Sequence, residues 1–510
     1  MISKINSIVM NGLNVIPTEV EVGFSRGIPG ITIVGLPDNA VNESKERIRF
    51  SIKNSGFDYP VSTKIVINLS PADVRKEGSA LDLPIAVGIL KNSAGMNSTV
   101  FDDFLFYGEL NLNGELKAVK GVLNAALFAR ERGYKGLIVP SKNGNEAAFV
   151  KEIDVFAFNN LNEVIQFIMT PEKFTPSVYK RENSGKRKFI TDFSEIKGQY
   201  LAKRIMEIAA AGFHNVLMVG PPGSGKSMIS KALPSILPDM TDEEILETSL
   251  IYSAAGLLNN RTSMVLSRPF RSPHHTISDV GISGGGKFPV PGEISLAHNG
   301  VLFLDELPYF KKSALEVLRQ PLEDGEITIS RSLTSFTFPS KFMFVAAMNP
   351  CEDSIGSKNS QFYACSSLQK KNYYSRISKP LLDRIDLQIE VKKVDIEEIT
   401  SDAKVETSAD VKKRVVTARN LQLQRFNNLR NKIFANGQMS NKEIKKFCAL
   451  DVESEKFLKM AVDKLDLSAR CYFKILKVAR TIADLASLES IKKNHIQEAL
   501  QYRTLDLFKL

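Results

Sequence analysis

Residues 215–230 read NVLMVGPPGSGKSMIS: an apolar run, a glycine-rich turn and the start of a helix. Within it Gly220, Pro221, Pro222, Gly223, Ser224, Gly225, Lys226 and Ser227 fill the pattern G-x-x-x-x-G-K-[ST]. Glycines let a backbone wrap closely around phosphate oxygens, so that successive N–H groups point at the negative charge. Lys226 suits the terminal phosphates of a nucleoside triphosphate, and the Ser227 hydroxyl suits Mg²⁺. The strand before the turn and the helix after it give the pattern a context that a chance match lacks.

Such a loop needs a carboxylate at the end of a neighbouring strand. VLFLDEL at 301–307 supplies four apolar residues and then Asp305 and Glu306. Asp305 suits the Mg²⁺ shell, and Glu306 suits the orientation and activation of an attacking water. The next apolar run, KFMFVAAMNP, ends in Asn349, where a sensor of the γ-phosphate would sit. Further on, ISKPLLDRIDLQIEV carries Arg384 between Asp383 and Asp386. Offered to a neighbouring subunit, that arginine would stabilise charge developing on the transferred phosphoryl group. ATP and Mg²⁺ are the expected cofactors, and a finger acting in trans requires a ring.

The elements that must position these residues follow from the texture of the chain. Its 510 residues leave room for about three domains. Residues 1–168 mix β-rich runs such as KIVINLS and GLIVP with helical stretches, an α+β block. Residues 169–190 are polar and proline-bearing, which marks a linker. Residues 191–393 alternate strands and helices as a nucleotide-binding α/β domain does. Residues 394–510 read as almost wholly helical, so the expected fold class is α/β multidomain with a helical C-terminal lid. Four cysteines are no disulfide framework. No apolar run reaches the ~18 residues of a membrane span. The first residues, MISKINSIVMNGLNV, lack a signal peptide's apolar stretch, so a cytoplasmic protein without a membrane partner is expected.

The net charge of +10 gathers at one end: residues 411–510 hold 21 Lys and Arg against 10 Asp and Glu. Between Asp410 and Glu443 every charged side chain is basic, including Lys412, Lys413, Arg414 and Arg419. One-sided charge is how a nucleic-acid footprint looks in sequence, although a solvated helix face looks the same.

Six segments in order, RPFRSPHHTISDVGISGGG, PVPGEISLAHNGVLFLDELPYF, LEVLRQPLEDGEITISRS, VAAMNPC, PLLDRIDLQIEV and LSARCYFKILKVARTIADL, resemble the Mg-chelatase-like AAA+ ATPases of the ComM/YifB type. The likeness runs nearly end to end. It implies hexameric rings and, for ComM-type members, a DNA helicase supporting branch migration in natural transformation. It implies sensor-1 and finger roles for Asn349 and Arg384, and a sensor-2 role for Arg470, in cis or in trans. It also implies an insertion at about 272–290 and a hairpin, EITISRSLTSFTF, that face a pore, making Lys287 and Arg331 candidates for a strand phosphate. Branched or single-stranded DNA is the expected partner. The competing reading is a protein- or cofactor-remodelling ATPase nearer the magnesium chelatase subunit, since fold alone cannot choose.

Two departures qualify the resemblance. The N-terminal block resembles the protease domain of Lon, but Ala80 stands at the place of the nucleophilic serine and Leu123 at that of the lysine. A Ser-Lys dyad needs both groups, so a non-proteolytic domain is expected. Relatives also carry four cysteines around sensor 1; here Cys351 and Cys365 remain, with Asp353 and Tyr363 at the other places. No structural zinc is expected from that set. The adjacent His274 and His275 lack an evident third ligand, which favours structural contacts over a metal.

Overall fold

A computed structural model of the chain describes every residue except 1, 77, 182–190, 259–261, 287–288, 331–334, 352–364, 395–396, 399–404, 430–432, 466 and 504–510. Residues 1–185 and 242–266 form one compact unit, and residues 186–241 with 267–510 form the other. Among the described residues no helix is long and apolar enough to cross a membrane.

The first unit is built on a four-stranded sheet in the order Ile2–Asn11, Asn14–Ser25, Lys64–Ser70, Gly30–Val34. The first three strands pair antiparallel, and the last joins its neighbour in parallel. Thr18, Val20 and Val22 alternate inward along the second strand, the period a one-sided sheet imposes. Helix Asp82–Ser93 packs on that face. It lies so close that a Cβ at Gly88 would meet Val22 at 2.8 Å. A second, parallel sheet of Phe104–Phe106, Gly136–Pro140 and Asp154–Phe158 completes the block.

Helix Asp242–Ala255 also belongs to this unit, although in sequence it lies within the nucleotide-binding block. Its Ser253 carbonyl accepts from Gly121 N (3.0 Å) and its hydroxyl from Leu123 N (3.3 Å), while that hydroxyl donates to the buried Glu146 carboxylate. Its buried face mixes Ile245 and Ile251 with Thr248, Ser249 and Ser253. A helix seated by hydrogen bonds carries no strong apolar stripe, so its period does not reveal where it docks.

The second unit has a five-stranded parallel sheet, ordered Phe270–Arg271, Val301–Leu304, Met343–Met348, Val216–Val219, Leu387–Glu390. Its three central strands are buried throughout, as parallel strands covered on both faces must be. The expected hairpin is present, with Glu326–Ser330 paired antiparallel to Ser335–Pro339. The C-terminal region is helical as its texture indicates, yet it is no separate unit. Val411, Val415 and Ala418 of helix Ser408–Phe426 and Ile475, Ala479 and Ile482 of helix Ala469–Leu485 share one core with Ala209, Val216 and Met218.

Candidate phosphate-binding site

Strand Val216–Val219 ends at Gly220, whose N–H donates to Met348 O (3.1 Å). A Cβ there would stand 2.1 Å from Val391 O, so only glycine fits between the two flanking strands. Gly223 and Gly225 then turn through φ of 76° and 88°, left-handed backbone that favours glycine. The turn delivers Lys226 to the first position of helix Lys226–Ala232. Its buried Nζ donates to Gly220 O (2.7 Å), Pro221 O (2.8 Å) and Ser224 Oγ (3.2 Å), which puts a positive charge inside the loop. Gln199 braces the loop from outside, its Nε2 donating to Ser224 O (2.9 Å) and Lys392 O (2.6 Å).

The neighbouring strands bring the acids and the amide. Ser227 Oγ donates to Asp305 Oδ2 at 2.6 Å. The other carboxylate oxygen of Asp305 accepts from Glu306 N (2.9 Å), and Glu306 itself sits at φ 55°. Its half-exposed carboxylate (51%) lies 3.4 Å from His275 Nδ1. Asn349 follows strand Met343–Met348, and its carbonyl accepts from the Tyr373 hydroxyl at 2.9 Å. Residues 222–228, Asp305, Glu306, Met348 and Asn349 enclose a cavity of about 380 Å³. A hydroxyl and a carboxylate on one point, an ammonium within a turn of backbone amides, and a second carboxylate beside them fit Mg²⁺ and a polyphosphate. Gln199 and the contact between His275 and Glu306 are not foreseen from the sequence, because what each side chain touches lies far away in sequence or on another element.

The two arginines lie elsewhere, and neither lines this cavity. Arg384 follows the short helix Lys379–Leu382 and is turned back on its own chain. Nη1 donates to Pro380 O (2.7 Å), Nη2 pairs with Glu323, and the buried Nε has no hydrogen-bond partner. Arg470 is exposed in the first turn of helix Ala469–Leu485.

Among the described residues of the basic stretch, several cations are engaged within the chain. Arg419 is 6% exposed and donates to the carbonyls of Ala210 (3.0 Å) and Ala211 (3.2 Å), closing the last turn of helix Tyr200–Gly212. Such carbonyls have no intrahelical partner, and a cation suits them. Arg414 pairs with Glu207 and Glu406, and Lys412 with Asp239 at 2.8 Å. Lys413 alone of these four reaches well into solvent, 79% exposed and 3.6 Å from Asp410. Run of charge and free face are therefore different things here, since Glu207, Asp239 and the carbonyls of Ala210 and Ala211 lie far off in sequence. Lys287 and Arg331 lie outside the described residues, as do Asp353 and Tyr363. Cys351 is buried and Cys365 half-buried. His274 Nδ1 bonds Thr276 Oγ1 (2.9 Å). In the first unit Ser79 Oγ donates to Glu109, and Leu123 is wholly buried.

Comparison with known proteins agrees with this geometry. Residues 192–399 match the family model of magnesium chelatase subunit ChlI, residues 20–143 a second ChlI model, and residues 405–503 the ChlI C-terminal model. Competence protein ComM of Haemophilus influenzae is 42% identical over 492 residues, covering 95% of this chain and 94% of its own. YifB of Escherichia coli is 41% identical over 497 residues, covering 97% and 96%. The magnesium-chelatase subunit ChlI of Euglena gracilis is 25% identical over 187 residues, 32% of this chain.

Proposed function

The chain belongs to the magnesium-chelatase-like AAA+ ATPase family that includes ComM and YifB, and from that premise we propose that it is a DNA-acting motor, a helicase or branch-migration translocase working as a homo-hexamer in natural transformation. The observation that carries the ATPase part is the 2.6 Å Ser227–Asp305 pair at the mouth of the glycine loop, with Glu306 beside it. Bound Mg²⁺–ATP brings the phosphoryl group to be transferred and the metal's counter-charge. Ser227 and Asp305 would hold the metal, Lys226 and the loop amides would hold the phosphates, and Asn349 would sense the outermost one. Glu306 orients the attacking water and takes its proton.

Arg384 acts in trans in this proposal. To reach a neighbour's phosphate its side chain, 15% exposed, has to leave Pro380 O and Glu323, which brings its buried Nε out to a partner. Arg470, exposed and not among the residues lining its own chain's cavity, keeps the sensor-2 role, in cis or in trans. The N-terminal unit is a Lon-like, non-proteolytic module. The DNA reading is supported by likeness to a protein named for competence and by the basic C-terminal balance. With Arg414 and Arg419 engaged internally, it assigns the phosphate contacts to Lys287 and Arg331. The match to ChlI favours a second reading, a protein- or cofactor-remodelling ATPase. ATP turnover measured with and without branched and single-stranded DNA separates them. Stimulation by DNA is expected; a rate indifferent to every DNA tested would leave the remodelling reading.

A further inference from the structure

Glu306 occupies the left-handed region at φ 55°, which residues bearing side chains rarely adopt and which concentrates at functional sites. Its carboxylate is half exposed, so the backbone alone does not fix where the oxygens point. A base that must hold one water in line needs a second anchor. The side chain placed to supply it is His275, whose Nδ1 stands 3.4 Å from Glu306 Oε2, within ion-pair reach and longer than a usual hydrogen bond. His275 comes from a different element, the segment leaving edge strand Phe270–Arg271, which pairs with the strand that carries Glu306. Its ring is held against Tyr309 (6.1 Å between centroids), edge-on to Phe310 (6.4 Å) and over His274 (4.1 Å). Tyr309 and Phe310 follow Glu306 by a few residues, so imidazole and carboxylate share one local frame.

We propose that His275 is a positioning residue for ATP hydrolysis, holding one carboxylate oxygen of Glu306 so that the other faces the attacking water. It acts through Glu306 and does not touch the nucleotide. The proposal rests on the ATPase reading above. Replacing the ring with alanine frees the carboxylate, whereas asparagine keeps an N–H near the place of Nδ1.

The test uses the full chain in four forms: unaltered, His275→Ala, His275→Asn, and His275→Ala combined with Glu306→Gln. Steady-state and single-turnover hydrolysis are measured beside binding of a fluorescent ATP analogue. His275→Ala is expected to lower kcat by about tenfold or more, with KM and analogue affinity unchanged. His275→Asn should recover most of that loss. In the Glu306→Gln background, removal of His275 should change single-turnover hydrolysis by less than about twofold, because both changes act on one group. Normal kcat in His275→Ala overturns the proposal alone. So does a further loss of equal size in the Glu306→Gln background, or a loss of analogue binding. Absence of turnover in the unaltered chain overturns the ATPase reading and this proposal with it.

Discussion

Lys226 opens the helix after the glycine turn and Glu306 follows a strand end, and the two do different work, which substitution can separate. Lys226→Ala withdraws the ammonium that three loop acceptors now hold and that a triphosphate would meet. Loss of nucleotide binding is expected, read with a fluorescent ATP analogue. Glu306→Gln leaves the Ser227–Asp305 pair intact, so binding should persist while turnover falls by about 10²-fold or more for want of a base. Both residues were legible in the sequence because each sits in a local frame, Lys226 in a strand–turn–helix run and Glu306 just past an apolar strand. Gln199 and His275 were not, for their meaning lies in Ser224, Lys392 and Glu306. A lone polar side chain before a helix, or a histidine pair in a loop, names no partner.

Helix Ser408–Phe426 shows how the work of a single cation becomes clear once its neighbours are known. Its charge pattern suggested a surface for DNA, but Arg419 closes the end of helix Tyr200–Gly212. Arg419→Gln should therefore lower stability by about 2 kcal/mol in urea unfolding, by withdrawing a buried charged donor, while Lys413→Gln should leave it unchanged. Helix Ala469–Leu485 makes a comparable connection through Lys474, whose Nζ lies 3.0 Å from Asp386 at the start of strand Leu387–Glu390. Burial alone would raise the Asp386 carboxyl, but Lys474, His214 and Lys477 hold it well below the usual carboxylate range. A depressed acid stabilises the fold above its unfolded pKa of about 4, and that stability drains away as pH falls towards the folded value. Asp386→Asn should thus melt lower than the unaltered chain at pH 7, with the gap narrowing below about pH 4. The helices themselves were legible from periodicity. Their union with the sheet in one core was not, because a helix face does not declare what covers it.

At the scale of the whole chain, the path between the two units is less simple than the three blocks read from composition. Residues 242–266 leave the nucleotide-binding unit just after the phosphate-loop helix and return just before the segment carrying His275. The points of departure and return are neighbours: Arg268 donates to the carbonyls of Pro238 (2.7 Å) and Asp239 (3.3 Å). The excursion between them is stabilised by the first unit, where Ser253 meets Glu146, Gly121 and Leu123, and Asn145 Nδ2 donates to Ser263 Oγ (2.9 Å). A chain reduced to residues 186–510 would strip those partners away, exposing Ile245 and Ile251 and leaving the Ser253 end of the helix without its acceptor and donors. It should bind a hydrophobic dye and aggregate on heating. Residues 186–510 with 242–266 replaced by a short glycine-serine linker should behave otherwise, since Arg268 already holds the junction closed and the sheet with its C-terminal helices has its own core. Cooperative thermal unfolding and retained binding of a fluorescent ATP analogue are expected for the linker form. Equal aggregation of both forms would mean that the second unit depends on the first by some route other than residues 242–266.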